Sequence, residues 1–380
     1  MSSIGLRRSG AAALLLGLTA CASTTSDSPS PPPPTPPPQD LAAALSAARV
    51  ETGAPGATAA IVRDGVLIFI GASGEAARSP SRPLGTTSLL SLAGVTEMAT
   101  AAMVLRLREE GRLSLEDSLA RYVPYVPGAD RITVGMLLAH RAGLPDYQSL
   151  SFGELYYSFQ DPTHVWTRAE ILRAIGPEDD LRPPGQGYRY SQTDYVALGA
   201  VLEQASGMGV DAFFERFIAA PLGLDRCLFN ADPALAPEVS QSFAYDSAKG
   251  DYVSTFPANG SVPTYLWGPV WTDSGIMCSA EDTARFTDAL LGGKLVSPAT
   301  LALMTAFGTE GYGLGVARRT DSGRVSYGHA GSRGGYGAAA WYDPERRLTI
   351  VVLVNADGPS FLAETVFQRM EEAYNRSGMP

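Results

Sequence analysis

Lysine, cysteine and histidine are scarce in this chain, and positive charge as a whole is in deficit. The 380 residues include only two lysines, Lys249 and Lys294, so arginine supplies nearly all of the 29 basic residues. Set against 39 acidic residues, this leaves a net charge of −10. Nucleic-acid binding requires a basic face that neutralises phosphates, so we do not expect a chain this acidic to bind nucleic acid.

The three cysteines and three histidines show no metal-binding pattern. No two cysteines are spaced as C-x-x-C, and the histidines do not cluster along the chain. We therefore expect neither a metal site nor a cofactor. Cys227 and Cys278 would pair if the fold brought them together. The expectation is two buried free thiols, because unpaired cysteine is among the most buried residue types.

The N-terminal apolar run is too short to cross a membrane and is typical of an export signal. Arg7 and Arg8 precede this run, which covers residues 11–18. The LTAC sequence that ends at Cys21 resembles the box cut by lipoprotein signal peptidase, which implies cleavage after residue 20 and lipidation of Cys21. More than one acyl chain would anchor the protein stably in the cell envelope. An ordinary secretory signal with a chance cysteine is the alternative.

A tether over residues 21–39 separates this signal from the rest of the chain. Eight prolines lie between Pro29 and Pro38, and proline-rich chain is stiff and extended, at about 3 Å per residue. We predict one folded domain over residues 40–380, with Asp40 capping its first helix.

Strand patterns occur at both ends of this domain and helical patterns lie between them. Asp64-Gly65, between two apolar runs, is a strong hairpin signal. Strands are predicted at residues 57–62, 66–70, 313–318, 325–329, 335–342 and 348–354, and helices at 41–50, 98–110, 133–140, 167–175, 192–205, 211–219, 279–291 and 360–375. The pattern predicts an α/β (α+β) fold: an antiparallel sheet built from both chain ends and flanked by helices, plus a mostly helical lobe. The junction of the two is the expected site.

A catalytic motif is degenerate near the start of the helical region. Residues 90–99 have the frame of a nucleophile helix, in which S-x-x-K places a serine and its activating lysine on one helical face. Gly94 stands at the serine position and Glu97 at the lysine position. Lys249 and Lys294 both lie in predicted polar loops, so neither is expected to replace the missing lysine.

Two further motifs follow in order along the chain. Tyr190-Ser191-Gln192 resembles a Y-x-N motif with the asparagine lengthened to glutamine, and His329-Ala330-Gly331 resembles a K-T-G or H-x-G strand. With residues 98–124, 137–145, 279–282 and 311–315, these motifs resemble the serine β-lactamase and penicillin-binding-protein superfamily. The resemblance covers about residues 40–375 and is strongest to the branch with class C β-lactamases, D-Ala-D-Ala carboxypeptidases and esterases.

The resemblance implies a role for each matching residue. Tyr190 would shuttle a proton, the Gln192 amide would bond a substrate amide, and His329 with Gly331 would line the cleft and help bind a carboxylate. The backbone N–H groups of Ser332 and Gly94 would form an oxyanion hole, which needs no side chain.

The degenerate motif leaves three functional hypotheses open. The leading one is a pseudoenzyme that binds a peptidoglycan-like peptide or a similar amide- or carboxylate-bearing small molecule. The alternative is a hydrolase in which Glu97 activates water and Tyr190 protonates the leaving group, or in which another serine attacks. The serines considered are Ser91, Ser191 and Ser332. The last hypothesis is an interaction module of the cell envelope, with the aromatic residues of 265–271 as a contact surface. Oligomeric state stays open.

Overall fold

The computed structural model describes residues 39–147, 167–175, 182–229, 238–256, 272–321, 323–358 and 361–379. The predicted signal peptide, Cys21, the tether up to residue 38 and the aromatic stretch 265–271 lie outside these residues and remain predictions. Within the described residues, no helix is both long enough and apolar enough to cross a membrane.

The described residues form the strands of the main sheet near both ends of the chain and mostly helices between them. Its helices are α1 (Gln39–Thr52), α2 (Thr96–Glu109), α3 (Val134–Leu138), α4 (Arg168–Arg173), α5 (Gln192–Ser206), α6 (Val210–Phe214), α7 (Ala220–Leu222), α8 (Ala280–Leu291), α9 (Pro298–Met304) and α10 (Leu362–Arg376). Its strands are β1 (Gly56–Arg63), β2 (Val66–Arg78), β3 (Ser81–Pro83), β4 (Leu90–Ser91), β5 (Cys227–Phe229), β6 (Phe243–Asp246), β7 (Asp251–Ser254), β8 (Ile276–Cys278), β9 (Ala317–Asp321), β10 (Arg324–Arg333), β11 (Tyr336–Asp343), β12 (Leu348–Val354) and β13 (Ala356–Asp357).

Among the described residues, the central sheet has seven strands in the order β3-β2-β1-β12-β11-β10-β9, and neighbouring strands are antiparallel. Strands from both chain ends therefore meet at the β1–β12 pair, as the sequence predicts. Every residue of β11 and β12 is buried, because both faces of the sheet are covered. Helices α1 and α10 pack on one face through residues such as Leu45 and Phe367. Helix α8 and the helical lobe pack on the other.

Helix α2 is the central helix of the lobe and positions the degenerate motif. Eleven of its fourteen residues, from Thr96 to Leu107, are buried. A short 3₁₀ turn, Ala93–Val95, leads into it. The start of α2 and this turn lie against β10, so the junction of sheet and lobe falls at Gly94.

Two features of the fold differ from the sequence-based expectations. The strand predicted at residues 313–318 is wrong in position: β9 begins at Ala317, because residues 312–316 form a turn closed by a bridge between Tyr312 and Ala317. Strands β3 to β8 and β13 were not predicted, since strands of two to four residues are too short to show a period.

The expectation of two free thiols is also wrong. Cys227 and Cys278 form a disulfide that links β5 to β8, where they are direct cross-strand partners with Cα atoms 4.0 Å apart. They lie 51 residues apart in sequence, so only the pairing of these two short strands brings them together.

Candidate active site

A cavity of about 430 Å³ opens at the junction of sheet and lobe. It is lined by Gly94, Tyr188, Tyr190, Gln192, Tyr312, Ala317, His329, Ala330, Gly331, Ser332, Trp341, Phe361 and Glu364. Six residues predicted from sequence (Gly94, Tyr190, Gln192, His329, Gly331 and Ser332) are among them. Glu97 is not in the lining, because it lies one helical turn beyond Gly94 with none of its surface exposed.

The 3₁₀ turn and strand β10 approach each other closely at two glycines. A Cβ atom added to Gly331 would lie 2.3 Å from the backbone nitrogen of Gly94, so only glycine allows this contact. A Cβ added to Gly94 would lie 3.1 Å from Cε1 of His329. The imidazole of His329 therefore covers Gly94, and the space opened by the missing serine side chain is partly filled. Ala93, just before Gly94, has φ of +45°, a backbone strain of the kind that clusters at functional sites.

Four side chains surround the carboxylate of Glu97. The Tyr190 hydroxyl donates to Oε1 at 2.7 Å and the Tyr312 hydroxyl donates to Oε2 at 2.9 Å. His140 Nε2 lies 3.1 Å from Oε2, and His329 Nε2 lies 3.4 Å from it. Both carboxylate oxygens are thus engaged by groups that stabilise negative charge.

These contacts set the charge state of the cluster. Burial by itself raises the pKa of Glu97, but His140 and His329 outweigh burial and lower that pKa to about 2. Burial disfavours a charged His140, yet the carboxylates of Glu97 and Asp194 raise its pKa to about 9. Near neutral pH, Glu97 and His140 therefore form a buried ion pair. Burial, together with the Glu97 charge, also raises the pKa of Tyr190 well above its usual value.

Sequence reasoning did not assign roles to His140, Asp194 and Tyr312. His140 follows α3 with φ of +52°, and its Nδ1 lies 3.4 Å from Oδ2 of Asp194 in α5. Burial raises the pKa of Asp194 to about 7, although His140 opposes this rise. His140 and Tyr312 lie in stretches 137–145 and 311–315, which match the family. Those matches were the only sequence feature that could have pointed to these two residues.

Helix α5 presents the second motif to the cavity. Tyr190 and Ser191 directly precede the helix, and Gln192 is its first residue. Gln192 is 7% exposed, and its side-chain oxygen has no hydrogen-bond partner among the described residues. That oxygen is itself buried, so only a ligand inside the cavity that Gln192 lines could contact it. The Ser191 hydroxyl is buried and likewise lacks a described partner.

Strand β10 forms the opposite wall and is a free sheet edge where it passes the cavity. Its pairing with β9 ends at Gly328↔Ala317, so no described strand covers the outer edge of residues 329–333. His329 Nδ1 lies 2.8 Å from the carbonyl oxygen of Ala330. Nδ1 therefore carries a proton, since a carbonyl only accepts.

A buried arginine fastens the end of β10 to the helical lobe. Arg333 donates to the Tyr147 hydroxyl at 2.6 Å and to Oδ2 of Asp273 at 2.7 Å, and it also contacts Ser274 Oγ. Burial raises the pKa of Asp273 to about 6, against the opposing charge of Arg333. This cluster holds the strand in register next to Ser332 and was not predicted from the sequence.

The groups considered as replacements for the missing serine and lysine are poorly placed. Ser91 is buried, and its hydroxyl lies between the carbonyl of Ser274 and the Ala93 nitrogen. The side chains of Lys249 and Lys294 are 66% and 54% exposed and pair with Asp246, at the end of β6, and with Asp288 in α8. Neither lysine lines the cavity. Of the three serines considered, Ser332 alone is in the lining.

Known proteins share this architecture and sequence pattern. The beta-lactamase family model matches residues 40–375. An esterase of Burkholderia gladioli is 30% identical over 268 residues, which are 65% of this chain and 68% of the esterase. A penicillin-binding protein of Bacillus subtilis (strain 168) is 27% identical over 325 residues, which are 81% of this chain and 69% of that protein.

The solved structures agree on the fold. D-amino acid amidase from Ochrobactrum anthropi SV3, in complex with L-phenylalanine amide, aligns with 90% of this chain and 100% of its own, at 22% identity and a TM-score of 0.74. The family match spans nearly the whole domain. Five of the residues at motif positions line one cavity: Gly94, Tyr190, Gln192, His329 and Gly331. The chain therefore belongs to the beta-lactamase family, whose fold and hydrolase ancestry it shares with penicillin-binding proteins and esterases.

Proposed function

We propose that this protein is a non-catalytic member of its family that binds a ligand reversibly in the cavity at Gly94. Covalent acyl transfer needs a nucleophile and a base to activate it. Gly94 supplies no nucleophile, and Glu97 reverses the charge at the base position. Removing the nucleophile of a triad-type site leaves only a small residual rate from the oxyanion hole and binding.

The burial of Glu97 is the main argument against direct hydrolysis by a water molecule that Glu97 would activate. An efficient general base has a pKa near the working pH and reaches the water it activates. Glu97 has a pKa of about 2, no exposed surface, and hydrogen bonds from two tyrosines. These properties suit a structural anion that orients Tyr190 and compensates His140.

The wall around Gly94 suits an amide- or carboxylate-bearing ligand, such as a peptidoglycan-like peptide. The Gln192 amide oxygen is unpaired among the described residues and would accept an N–H. The uncovered edge of β10 offers backbone groups with which an extended peptide would pair as an added strand. The backbone N–H groups of Gly94 and Ser332 would donate to a carbonyl or carboxylate oxygen of the ligand.

The proposal includes export and a lipid anchor at Cys21 on the periplasmic side or the outer membrane. The disulfide between Cys227 and Cys278 supports export, since disulfides persist in oxidising compartments. The apolar run that ends at residue 18 and the LTAC box support the anchor. Intact-mass analysis of protein extracted from membranes would find acyl chains on a new N-terminal Cys21. An N-terminus elsewhere would contradict the anchor.

The decisive experiment measures turnover, adduct formation and binding on the same purified protein. We expect no hydrolysis of p-nitrophenyl butyrate above the blank, no mass adduct after incubation with a penicillin, and saturable binding of an acylated D-Ala-D-Ala peptide by calorimetry. Turnover that disappears in Glu97→Gln would overturn the proposal in favour of a water-activating hydrolase. Turnover that disappears in Ser91→Ala, Ser191→Ala or Ser332→Ala would identify a different nucleophile.

A further inference from the structure

One end of the cavity has a chemistry that the family motifs do not explain. Beyond the β10 edge, the lining consists of Ala317, Trp341, Phe361 and Glu364, here called the α10 end. Phe361 immediately precedes α10 and is 60% exposed. Glu364 lies in the first turn of α10 with 22% of its side chain exposed. A large apolar side chain left exposed next to an acid at a cavity rim is available to a ligand.

The carboxylate of Glu364 is only partly compensated. Its Oε1 accepts a hydrogen bond from Trp341 Nε1 at 2.8 Å. Its Oε2 lies 3.7 Å from Arg319, which is too long for a hydrogen bond. The same guanidinium also faces Asp321 at 2.7 Å and Glu371 at 3.5 Å. Arg319 is thus shared among three carboxylates, of which Glu371 also contacts Arg346 at 3.2 Å.

Charge compensation from the rest of the cavity is also weak. No lysine or arginine side chain is in the lining given by the described residues, and the internal stretches between them contain neither residue type. Burial raises the pKa of Glu364 and Glu371 adds to the rise, whereas Trp341, Arg319 and His329 oppose it. A cation in the α10 end would favour the ionised carboxylate.

We propose that the α10 end is a subsite for a substituted ammonium group on the ligand. Aromatic faces attract cations through the ring quadrupole, and tryptophan does so most strongly. Trp341 and Phe361 would provide these faces, and Glu364 the counter-charge. The ligand would then carry an amide or carboxylate near Gly94 and a positive charge near Trp341. The inference rests on the proposed binding function, since it names part of the ligand of that same cavity.

Glu364 has a simpler role that the test must separate from this one. An acidic residue in the first turn of a helix complements the helix dipole, and here it also fixes the Trp341 indole. A glutamine at this position keeps an oxygen for Trp341 and removes the charge. Glu371 provides the matched control, because it lies on the same helix and contacts the same Arg319 but does not line the cavity.

The experiment compares three probes that share one branched head and differ in charge. Calorimetric titration of the whole protein would use choline, neutral 3,3-dimethylbutanol and anionic 3,3-dimethylbutanoate. We expect choline to bind about tenfold more tightly than the alcohol, and the anion to bind most weakly. Glu364→Gln should remove about tenfold from choline affinity and leave the alcohol within about twofold. Phe361→Ala should weaken choline about threefold.

The outcomes separate this inference from the function on which it rests. Equal affinities for choline and the alcohol, no saturable choline binding, or an unchanged preference in Glu364→Gln would overturn the ammonium subsite. A loss in Glu371→Gln as large as that in Glu364→Gln would also overturn it, since the effect would then be general electrostatics. A penicillin adduct or ester turnover would overturn the non-catalytic function. It would not decide the ammonium subsite, which the choline titrations test separately.

Discussion

Nε2 of His140 lies 3.1 Å from Oε2 of Glu97, and neither side chain has any exposed surface. In the family motif, the position of Glu97 holds a lysine. The reversal of charge is tolerated because His140 supplies a cation within reach and two tyrosine hydroxyls donate to the carboxylate. A buried ion pair of this kind depends on both partners, since the loss of either leaves an uncompensated charge.

The first prediction concerns Glu97 as a structural anion. Glu97→Gln should lower the free energy of unfolding by about 3 kcal/mol, because it leaves His140 buried opposite a neutral amide. The measurement is equilibrium urea unfolding at pH 7. Glu110→Gln is the control, since Glu110 makes a partly exposed pair with Arg106 at the end of the same helix and should cost less than about 1 kcal/mol. Similar losses in both variants would contradict a special role for Glu97.

The second prediction is a loss of stability at alkaline pH. The pKa of His140 is raised from 6.5 to about 9 in the folded protein, so the folded state binds more protons between these values. The stabilisation is complete below pH 6.5 and is lost as pH rises through 9, with a size of about 3 kcal/mol. Unfolding free energies measured from pH 6 to 9.5 should follow this fall. His140→Asn should flatten it, and a profile as steep as that of the parent protein would assign the fall to other groups.

The same linkage gives the opposite sign for Glu97 at acid pH. Its pKa is lowered from 4.5 to about 2, so the unfolded state binds more protons between these values. The stabilisation is present above pH 4.5 and is lost as pH falls towards 2. The midpoint of acid unfolding, followed by circular dichroism, should therefore shift to higher pH in His140→Asn, which removes the partner that lowers this pKa. An unchanged midpoint would count against the coupling of the two groups.

Another prediction concerns the close approach of Gly331 to Gly94. Gly331→Ala places a methyl group 2.3 Å from the Gly94 nitrogen, so the strand and the 3₁₀ turn must separate. We expect a loss of at least about 2 kcal/mol in stability and a loss of peptide binding. Gly85→Ala is the control, because the nearest atom to its added Cβ is 3.7 Å away. Thermal unfolding and calorimetry on both variants check the prediction, and equal behaviour would contradict it.

The disulfide predicts a thiol count and a stability difference. Cys227 and Cys278 close a loop with a sequence separation of 51 residues, for which the chain-entropy relation gives about 4 kcal/mol of stabilisation. The double variant Cys227→Ala, Cys278→Ala should unfold at correspondingly lower urea concentration. Denatured but unreduced protein should show at most one reactive thiol, that of Cys21. A count of three would mean that the pair does not form.

Restoring the motif tests how far the site has diverged. Gly94→Ser with Glu97→Lys should gain covalent labelling by a penicillin if the remaining walls are intact. The structure adds two costs: His329 must move by a few tenths of an ångström to admit the serine Cβ, and a lysine would face His140 without Glu97. We therefore expect labelling with a reduced melting temperature. A folded double variant that forms no adduct would show that the cavity differs beyond these two positions.

Much of the architecture was determined locally by the sequence. The hairpin at Asp64-Gly65 was confirmed, and the helix predicted from residue 167 begins at a capping box from Thr167 to Glu170, because turns and caps depend on neighbouring residues. Gly94, Tyr190 and His329, which stand at motif positions, line one cavity, because the family fold brings those positions together whatever the side chains are.

Only the tertiary structure decided what the substituted residues do. The sequence showed that a lysine had become Glu97, but not that His140, 43 residues away, and Tyr312, 215 residues away, would hold its charge. It placed Cys227 and Cys278 without deciding that they pair. Contacts of this kind depend on distances of a few ångströms between segments that are remote in the chain. The local sequence pattern does not specify those distances, because the packing of the sheet against the helical lobe sets them.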